Sequence, residues 1–248
     1  MICLHSEIPG RVSVCYPSRV FANNADGDIS KKYVQRFLDA TKSDMLFASK
    51  VIMVEGLAEE LLLPIMANYT NKSLEDKHVA IVNVGSRYFK YFLKLFDKNA
   101  SRDALPTKVA CLTDRDPVRK LKTGGYWEKC YPFESGMEPV KFDYQVNAEN
   151  DINLYATHPN IRVYSQDKDK GKTFEYDLVL YNPKSPLLLT DSLSNQDELK
   201  RMMEKDKLEE MLAVMKKSKE NDRIETSIKN STWSDEDKKK AVLASRYL

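Results

Sequence analysis

The sequence predicts an α/β fold in which helices flank a parallel β-sheet. Two short segments support this prediction, one at 50–54 and one at 108–112, and in each all the residues after an initial lysine are apolar. Strands that are apolar on both faces are typical of parallel sheets that are covered on both sides. The alternation of strand-like and helix-like segments between these two strands also favours right-handed crossovers and parallel neighbours.

The first 45 residues precede this alternation. Two strand-like pieces, around 2–4 and 11–16, are too small to form a domain. A helix is predicted next, because apolar side chains recur there at helical spacing, at Tyr33, Val34, Phe37 and Leu38. We interpret residues 1–45 as a lead-in, consisting of the tail of a domain that starts earlier in a longer protein and a connecting helix.

Residues 46–190 form the predicted central domain. We expect strands at 50–54, 79–84 and 108–112, helices at about 57–68 and 86–97, and further strands at 161–165 and 173–180. The stretch between 117 and 150 contains two adjacent glycines and three prolines. We interpret that stretch as an irregular insertion or a loop-rich excursion.

Residues 191–248 are predicted to be a helical C-terminal part. From Gln196 onward one apolar stripe recurs among charged residues, at Leu199, Met202, Met203, Leu208, Met211, Leu212 and Met215. A last helix is expected from Ser234 to the end of the chain. It starts with a pattern that resembles a capping box, with Asp237 in place of the usual glutamate.

The composition is that of a soluble globular protein. Of the 248 residues, 42% are hydrophobic and 31% are charged, and the net charge of +2 gives no overall basic field that would indicate nucleic-acid binding. The four cysteines show no CxxC pair, which fits a reduced, cytoplasmic setting. The N-terminus does not read as a signal peptide, and no apolar run approaches the roughly 20 residues that span a bilayer.

Acidic residues follow both apolar strands. Glu55 comes directly after the first, and Asp114 and Asp116 lie just beyond the second. Working groups in parallel sheets gather beyond the carboxyl ends of the strands, so these carboxylates are expected to lie at one edge. Carboxylates that are gathered in this way repel each other unless a cation joins them, and oxygen ligands suit Mg²⁺ and Mn²⁺.

Glu59 lies about one helical turn beyond Glu55 and can face the same cluster. Alternatively it is a first-turn acid that the helix dipole favours. Glu60 points about 100° away from Glu59 around the helix, and we interpret it as a surface residue.

Three motifs share their spacing with a known family. The pattern Val54-Glu55-Gly56-x-x-Glu59, then Asn83-Val-Gly85, then Asp114-x-Asp116 resembles the Toprim domain of topoisomerases, bacterial primases and several nucleases. The fuller run at 46–64 resembles the overcoming-lysogenization-defect (OLD) family. Members of that family join an N-terminal ATPase of the ABC type to a C-terminal Toprim nuclease. The segments at 16–21 and 172–178 fit the same family.

The resemblance implies a metal-dependent DNA endonuclease that works with two Mg²⁺ or Mn²⁺ ions. It implies catalytic and metal-binding roles for Glu55, Asp114 and Asp116, with Glu59 and Glu175 completing the metal shells. DNA is the implied substrate, and the full-length protein is expected to form a homo-oligomer. ATP would act only through the ATPase domain, and no membrane partner is expected.

Two departures from the family pattern predict that the chain is a fragment with weakened activity. No phosphate-binding Gly-x-x-x-x-Gly-Lys-Ser/Thr loop is present, because the residue five before Gly171 is Gln166. Family members also carry a lysine soon after the helix that matches 241–248, and the chain stops before reaching one. If a cation inside the chain fills that role, Lys172 or one of Lys238–Lys240 is the next candidate.

Two other functions stay open at this stage. One is another Toprim enzyme, such as a primase, a topoisomerase or an RNA-maturing nuclease. The other is a non-catalytic module kept for assembly or DNA docking. Arg115 and the lysines at 238–240 could contact phosphate, but ordinary structural or surface use is the simpler interpretation.

Overall fold

The computed structural model describes residues 2–8, 10–40, 43–86 and 89–248. The chain divides into two compact units, each built from two stretches of sequence. Unit 1 consists of Met1–Thr113 and Asn150–Tyr164, and unit 2 consists of Asp114–Glu149 and Ser165–Leu248. The division of the sequence at 45/46 and 190/191 into a lead-in, a central domain and a helical part stays a prediction.

Unit 1 is built on a four-stranded parallel sheet in the order β4-β3-β5-β9. Its strands are β3 (Lys50–Val54), β4 (Val79–Asn83), β5 (Lys108–Leu112) and β9 (Ile161–Tyr164). A two-stranded antiparallel ribbon precedes them, formed by β1 (Cys3–Ile8) and β2 (Arg11–Cys15). The helices are α1 (Ala25–Ala40), α2 (Leu57–Tyr69) and α3 (Phe89–Leu93), and α4 (Asn147–Leu154) crosses the sequence boundary at 149/150.

One face of the parallel sheet forms the core of unit 1. The strands pair in register, with Val51 opposite Val109 and Val109 opposite Ile161. Side chains on this face are at most 8% exposed; they are Val51, Met53, Val82, Val109, Cys111, Ile161 and Val163. α1 packs against α3 and adds an aromatic cluster, in which Tyr33 lies 4.7 Å from both Phe37 and Tyr91 between ring centroids.

Unit 2 combines a three-stranded antiparallel sheet with helices. The strands are β6 (Pro117–Leu121), β7 (Glu128–Lys129) and β8 (Phe142–Val146), in the order β7-β6-β8. The helices are α5 (Phe174–Tyr181), α6 (Gln196–Met203), α7 (Leu208–Val214), α8 (Lys219–Asn230) and α9 (Asp235–Tyr247). Their shared core includes Tyr176, Leu199, Met202 and Ile224, each 0% exposed.

The predicted strand at 173–180 is wrong, because this segment is helix α5. Thr173 caps the helix, accepting a hydrogen bond on its Oγ1 from the Tyr176 N–H at 3.3 Å. Tyr176, Val179 and Leu180 are buried at the i, i+3, i+4 spacing of a helix, and α5 packs along α9. Tertiary packing therefore outweighs the strand preference of the aromatic and β-branched residues.

The stretch at 117–150 is more regular than the sequence predicts, because it contains the antiparallel sheet of unit 2. β6 pairs with β8 from Pro117–Val146 to Leu121–Phe142. Gly124 and Gly125 lie in the turn between β6 and β7. Their φ values are +119° and +118°, a backbone conformation that glycine adopts readily and other residues rarely adopt. The two glycines therefore lie in a turn and Pro117 lies at the start of a strand, so the segment at 117–150 is not an irregular loop along its whole length.

The predicted helix at 86–97 is shorter than expected. Residues 87 and 88 lie outside the described part, and α3 ends at Leu93. The chain continues in tight turns, in which Leu95 N–H donates to Phe92 and Phe96 N–H donates to Leu93, both at 2.9 Å. Leu95 and Phe96 are buried nonetheless, so the apolar pattern correctly predicts core residues but not their backbone conformation.

The helical C-terminal prediction is confirmed. The apolar stripe is divided between α6 and α7, with Met215 at the C-cap of α7. Its members lie in or against the core of unit 2. Ser234 caps α9, where its Oγ accepts from the Asp237 N–H at 3.2 Å. Over the residues that are described, no helix has the length and apolar character to cross a bilayer.

Candidate active site

Glu55 follows β3 beside the end of β5. One of its carboxylate oxygens, Oε1, accepts a hydrogen bond from the Thr113 hydroxyl. The parallel register pairs Met53 with Cys111, so the residue after β5 falls opposite the residue after β3. Thr113 is 4% exposed and is held in turn by its N–H, which donates to the Tyr164 carbonyl at 3.0 Å. Thr113 is not predictable as the partner of Glu55, because a threonine at a strand end carries no distinctive signal.

Glu59 lies over the start of α2. Gly56 is the N-cap residue, and a Cβ placed there would lie 2.8 Å from Glu59 Oε2. A side chain at position 56 would require the flexible Glu59 carboxylate to move aside. A carboxylate in the first turn is also favoured by the helix dipole, so the position alone does not decide between the two predicted roles.

The turn after β4 lies beside the end of β3. Gly85 has φ +67°, and its N–H donates to Asn83 Oδ1 at 2.8 Å. Ser86 has φ +90°, which is rare for a residue with a side chain, and its N–H donates to the Glu55 carbonyl at 2.9 Å. This strained turn fixes the backbone of the residue that the sequence marks as catalytic.

Asp114 is oriented by two donors in unit 2. Its Oδ1 accepts from Gln166 Nε2 at 2.5 Å and from the Phe174 N–H at 3.0 Å. Gln166 also accepts a hydrogen bond from the Arg115 N–H at 2.9 Å, so one side chain contacts two consecutive residues, Asp114 and Arg115. Neither Gln166 nor Phe174 lies in a pattern that predicts this role.

Asp116 occupies the left-handed region, with φ +44°. Its N–H donates to the Lys172 carbonyl at 3.2 Å, and its own carbonyl accepts from Asn147 Nδ2 at 3.5 Å. Aspartate tolerates this conformation better than most residues. Arg115 between the two aspartates is 5% exposed and forms an ion pair with Glu149 at 3.0 Å, which matches the predicted structural use.

Lys172 is a buried cation in this part of unit 2. It is 7% exposed, and its ammonium lies 5.2 Å from the centroid of the Tyr131 ring. Burial lowers the pKa of Lys172, and the negative charges of Asp116 and Asp114 act against that shift. The ammonium is therefore held where carboxylates stabilise its charge.

Glu175 and Asp177 do not share a face, because they lie on a helix. Residues two apart on a helix are about 200° apart around its axis. Glu175 is exposed, whereas Asp177 is partly buried and accepts from the Lys172 N–H at 3.1 Å. Burial raises the pKa of Asp177 to about 6. The predicted strand at 173–180 would have placed these two acids on one face, and helix α5 does not. The ligand role of Glu175 stays a prediction.

The lysines at 238–240 are engaged locally. Lys239 and Lys240 pair with Glu236 at 2.9 Å and 3.5 Å, and Lys238 donates to the Lys229 carbonyl at 3.4 Å. These contacts fit lysines on a solvated helix face, which is a simpler interpretation than phosphate contact.

The predicted metal ligands fall in both units. Glu55 and Glu59 belong to unit 1, and Asp114, Asp116 and Glu175 belong to unit 2. Within either unit, the described residues contain no group of three or more His, Cys, Asp or Glu side chains placed to hold a metal ion. The donors are all carboxylate oxygens, which is the ligand type that Mg²⁺ and Mn²⁺ prefer. Donor type therefore fits the metal, and the five-residue ligand set stays a prediction.

The segment that carries these motifs matches a known family. Residues 46–116 match the family described as overcoming lysogenization defect protein-like, TOPRIM domain. The matched segment begins just before β3 and ends at Asp116, so it contains Glu55, Glu59, Asp114 and Asp116. No curated protein matches the chain.

Solved structures with a similar chain path come from two bacteria. One is the C-terminal region of the Burkholderia pseudomallei OLD protein, at 15% identity and a TM-score of 0.39, covering 80% of this chain and 87% of that one. Another is the C-terminal region of the Xanthomonas campestris pv. campestris OLD protein, at 18% identity and a TM-score of 0.40, covering 82% of this chain and 94% of that one.

Proposed function

We propose that this chain, in which residues 46–116 are an OLD-like Toprim domain, hydrolyses phosphodiester bonds of DNA as a Mg²⁺- or Mn²⁺-dependent endonuclease. One observation carries the proposal. The matched segment contains Glu55, Asp114 and Asp116, and these acids follow two strands that are parallel neighbours in the sheet. Such strand ends are where parallel sheets place their working groups.

Glu55, Asp114 and Asp116 would hold the metal, with Glu59 and Glu175 completing its shell. A pair of divalent cations would supply a water-derived nucleophile and charge stabilisation at the leaving oxygen. The chain's own residues orient the ligands. Thr113 donates to Glu55, and the Gln166 amide and Phe174 N–H donate to Asp114. Hydrogen bonds of this kind fix ligand orientation and are part of the site's design.

Lys172 is our candidate for a cation that acts on the reacting phosphate. Its ammonium interacts electrostatically with Asp116 and Asp114 and is shielded from solvent. A positive charge held in a region of low dielectric stabilises developing negative charge more strongly than it would in water. Selectivity for particular bases is not expected from this chemistry, because backbone contacts carry no sequence information.

The remaining expectations concern the wider protein. We propose DNA as the macromolecular partner, a homo-oligomer as the assembly of the full-length protein, and the cytoplasm as its location. Any dependence on ATP would act through an ATPase domain.

A second candidate function is a Toprim module that binds DNA without cleaving it. The two candidates differ in metal-dependent cleavage, which is directly measurable.

Nicking of a supercoiled plasmid in Mn²⁺ tests the proposal. The unaltered chain should convert supercoiled plasmid to the open circle, and Asp114→Asn and Glu55→Gln should each lower the rate at least about 100-fold. Both substitutions keep the shape and a hydrogen-bond acceptor, so the fold should survive. Glu60→Gln, one residue from Glu59, is the matched control and should cleave normally. Equal cleavage by all four proteins would overturn the proposal.

A further inference from the structure

The parallel sheet of unit 1 has a second face, opposite its core, that is exposed near the amino ends of β3 and β5 and along β9. A parallel sheet is ordinarily covered on both faces. α2 contacts β3 and β4, and Val54 at the end of β3 is 0% exposed. We therefore use the name open face for the exposed part alone, where side chains alternate with the buried ones along the strands. Lys50, Lys108 and Arg162 are exposed there, and Tyr164 is 54% exposed. A cavity of about 360 Å³ lies along it.

The charge on the open face is of one sign. The residues that line its cavity, all within the described part of the chain, include three cations and no aspartate or glutamate. Lys50 and Lys108 are direct partners on adjacent strands, and Arg162 pairs with Ala110, two positions further along. Neighbouring parallel strands lie about 4.8 Å apart and alternate residues about 6.6 Å apart, so the three Cα atoms span roughly 12 Å.

The cationic groups are accompanied by an apolar floor and an exposed aromatic ring. Ile52 and Ala110 lie between the lysines and the carboxyl ends of the strands. Arg162 is held in place, because its Nη1 donates to the Ile161 carbonyl at 2.7 Å and to the His158 carbonyl. A guanidinium that is fixed in this way loses little conformational entropy when it binds an anion.

Tyr164 connects the open face to the candidate active site. It is the last residue of β9, and its carbonyl accepts from the N–H of Thr113, whose hydroxyl donates to Glu55. The exposed ring therefore lies at the sheet edge where the first predicted catalytic acid is found.

We propose that the open face binds a single strand of DNA, with its phosphates on Lys50, Lys108 and Arg162 and one base stacked on Tyr164. A positively charged surface with an exposed aromatic ring is the arrangement by which proteins bind single strands without sequence preference. An acidic protein partner would also suit the cations, but the connection of Tyr164 through Thr113 to Glu55 favours the substrate of the proposed nuclease, and a poly-glutamate peptide is the competing occupant in the test below. The inference rests on the proposed function for the identity of the anion and extends it by locating where the strand lies.

Fluorescence anisotropy of a labelled 15-nucleotide single strand, measured in EDTA with the full 248-residue chain, tests this proposal. The double variant Lys50→Ala/Lys108→Ala should weaken binding about ten-fold and flatten the plot of log affinity against log salt by about 1.4, at 0.7 per phosphate contact. The matched control is Lys72→Ala/Lys77→Ala, which removes two exposed lysines from the same unit. It should change affinity less than about two-fold.

Tyr164 variants test the stacking contact. Tyr164→Ala should weaken binding at least about five-fold, while Tyr164→Phe should bind like the unaltered chain. Unchanged affinity and salt dependence in the lysine double variant would overturn the proposal. A duplex of the same length that competes equally with the single strand would overturn it too, as would binding of a poly-glutamate peptide as tightly as DNA.

These experiments distinguish failure of the nuclease proposal from failure of the open-face proposal. If Asp114→Asn abolishes nicking while the open-face variants bind DNA normally, the nuclease proposal stands and the open-face proposal fails. If the chain never cleaves but the lysine and tyrosine variants lose binding as expected, the open face stands and the nuclease proposal fails.

Discussion

The side chains at and near the loop at 114–116 are positioned by neighbours that cannot be recognised from the sequence. Gln166 holds both the Asp114 carboxylate and the Arg115 N–H, and Thr113 holds Glu55. The carboxylates stand out in the sequence, because they follow apolar strands at the sheet edge where parallel sheets place working groups. Their partners were not predictable, because glutamine and threonine occur throughout loops for many reasons.

Lys172 offers a test at the residue scale. Lys172→Met should lower Mn²⁺-dependent nicking about 100-fold, because a placed charge of this kind contributes roughly 3 kcal/mol to transition-state stabilisation. Lys172→Arg should recover part of the rate. Thermal unfolding should not shift downward in the methionine variant, since burial of the ammonium already costs free energy.

The control for this test is Lys168→Met, which removes an exposed lysine from the same loop. It should leave nicking within about two-fold of the unaltered rate. Full activity in Lys172→Met would show that the cation serves only the packing around Tyr131.

Among the secondary-structure elements, the strands of the parallel sheet were predicted well and α5 was not. β3 and β5 are short, apolar and bounded by polar residues, so only one interpretation fits them. The segment Phe174–Tyr181 is rich in aromatic and β-branched residues, which favour strands. Two signals of a helix were present: the buried spacing of Tyr176, Val179 and Leu180, and a threonine at the N-cap position.

The cap of α5 can be tested directly. Thr173→Ala should lower the free energy of unfolding by about 1 kcal/mol, because the Tyr176 N–H loses its partner at the helix start. Urea denaturation measures this loss, and Thr173→Ser should restore most of it. An alanine variant as stable as the unaltered chain would mean that packing against α9 alone fixes the helix.

Glu134 links the antiparallel sheet to α8. It is 1% exposed, and its oxygens accept from Arg223 at 2.6 Å and 2.8 Å, from Arg119 at 3.2 Å and from the Tyr131 N–H at 2.8 Å. Burial acts to raise its pKa, but hydrogen bonds and charge from Arg223, with help from Tyr131 and Arg119, outweigh burial and hold the pKa below its usual value of 4.5. The carboxylate is therefore more acidic in the folded chain than in the unfolded chain.

That shift fixes the direction of a pH effect. A depressed pKa stabilises the folded state above the unfolded value, near pH 4.5, and the stabilisation is lost as pH falls through the folded value. Glu134→Gln should cost about 2–3 kcal/mol at pH 7, less than for a wholly buried pair because Arg223 is partly exposed. The difference between the two proteins should shrink below pH 4.5. Urea denaturation at pH 7 and pH 3.5 checks both points, and a constant difference would contradict them.

At the scale of the whole molecule, the two units have separate hydrophobic cores. Val51, Met53 and Val109 belong to the first, and Tyr176, Leu199 and Ile224 belong to the second. The sequence predicts most of these residues, because apolar periodicity reports burial. It does not predict that residues 114–149 group with the C-terminal helices, because that grouping depends on long-range contacts such as Glu134 with Arg223.

Metal binding should stabilise the whole chain if the predicted ligands act together. Mn²⁺ at 100 times its dissociation constant would add about 2.7 kcal/mol, which corresponds to a rise in Tm of roughly 5–10 °C for a chain of this size. Differential scanning fluorimetry with and without Mn²⁺ measures this rise without any substrate. Asp114→Asn/Asp116→Asn should abolish it, and an equal rise in that double variant would place the metal elsewhere.

The interleaving of the two units along the sequence has a practical consequence. The polypeptide passes from one to the other at 113/114, 149/150 and 164/165, so neither can be excised with a single cut. A stop codon after Tyr164 would leave residues 114–149 without the helices that complete their core. A start codon at Ser165 would remove Tyr131 and Phe133, which belong to the core of those helices. Isolating either part requires rejoining two stretches, for example by bridging Thr113 to Asn150 with a short flexible linker. Deletion series made from the ends alone would therefore report misfolding and not the location of an activity.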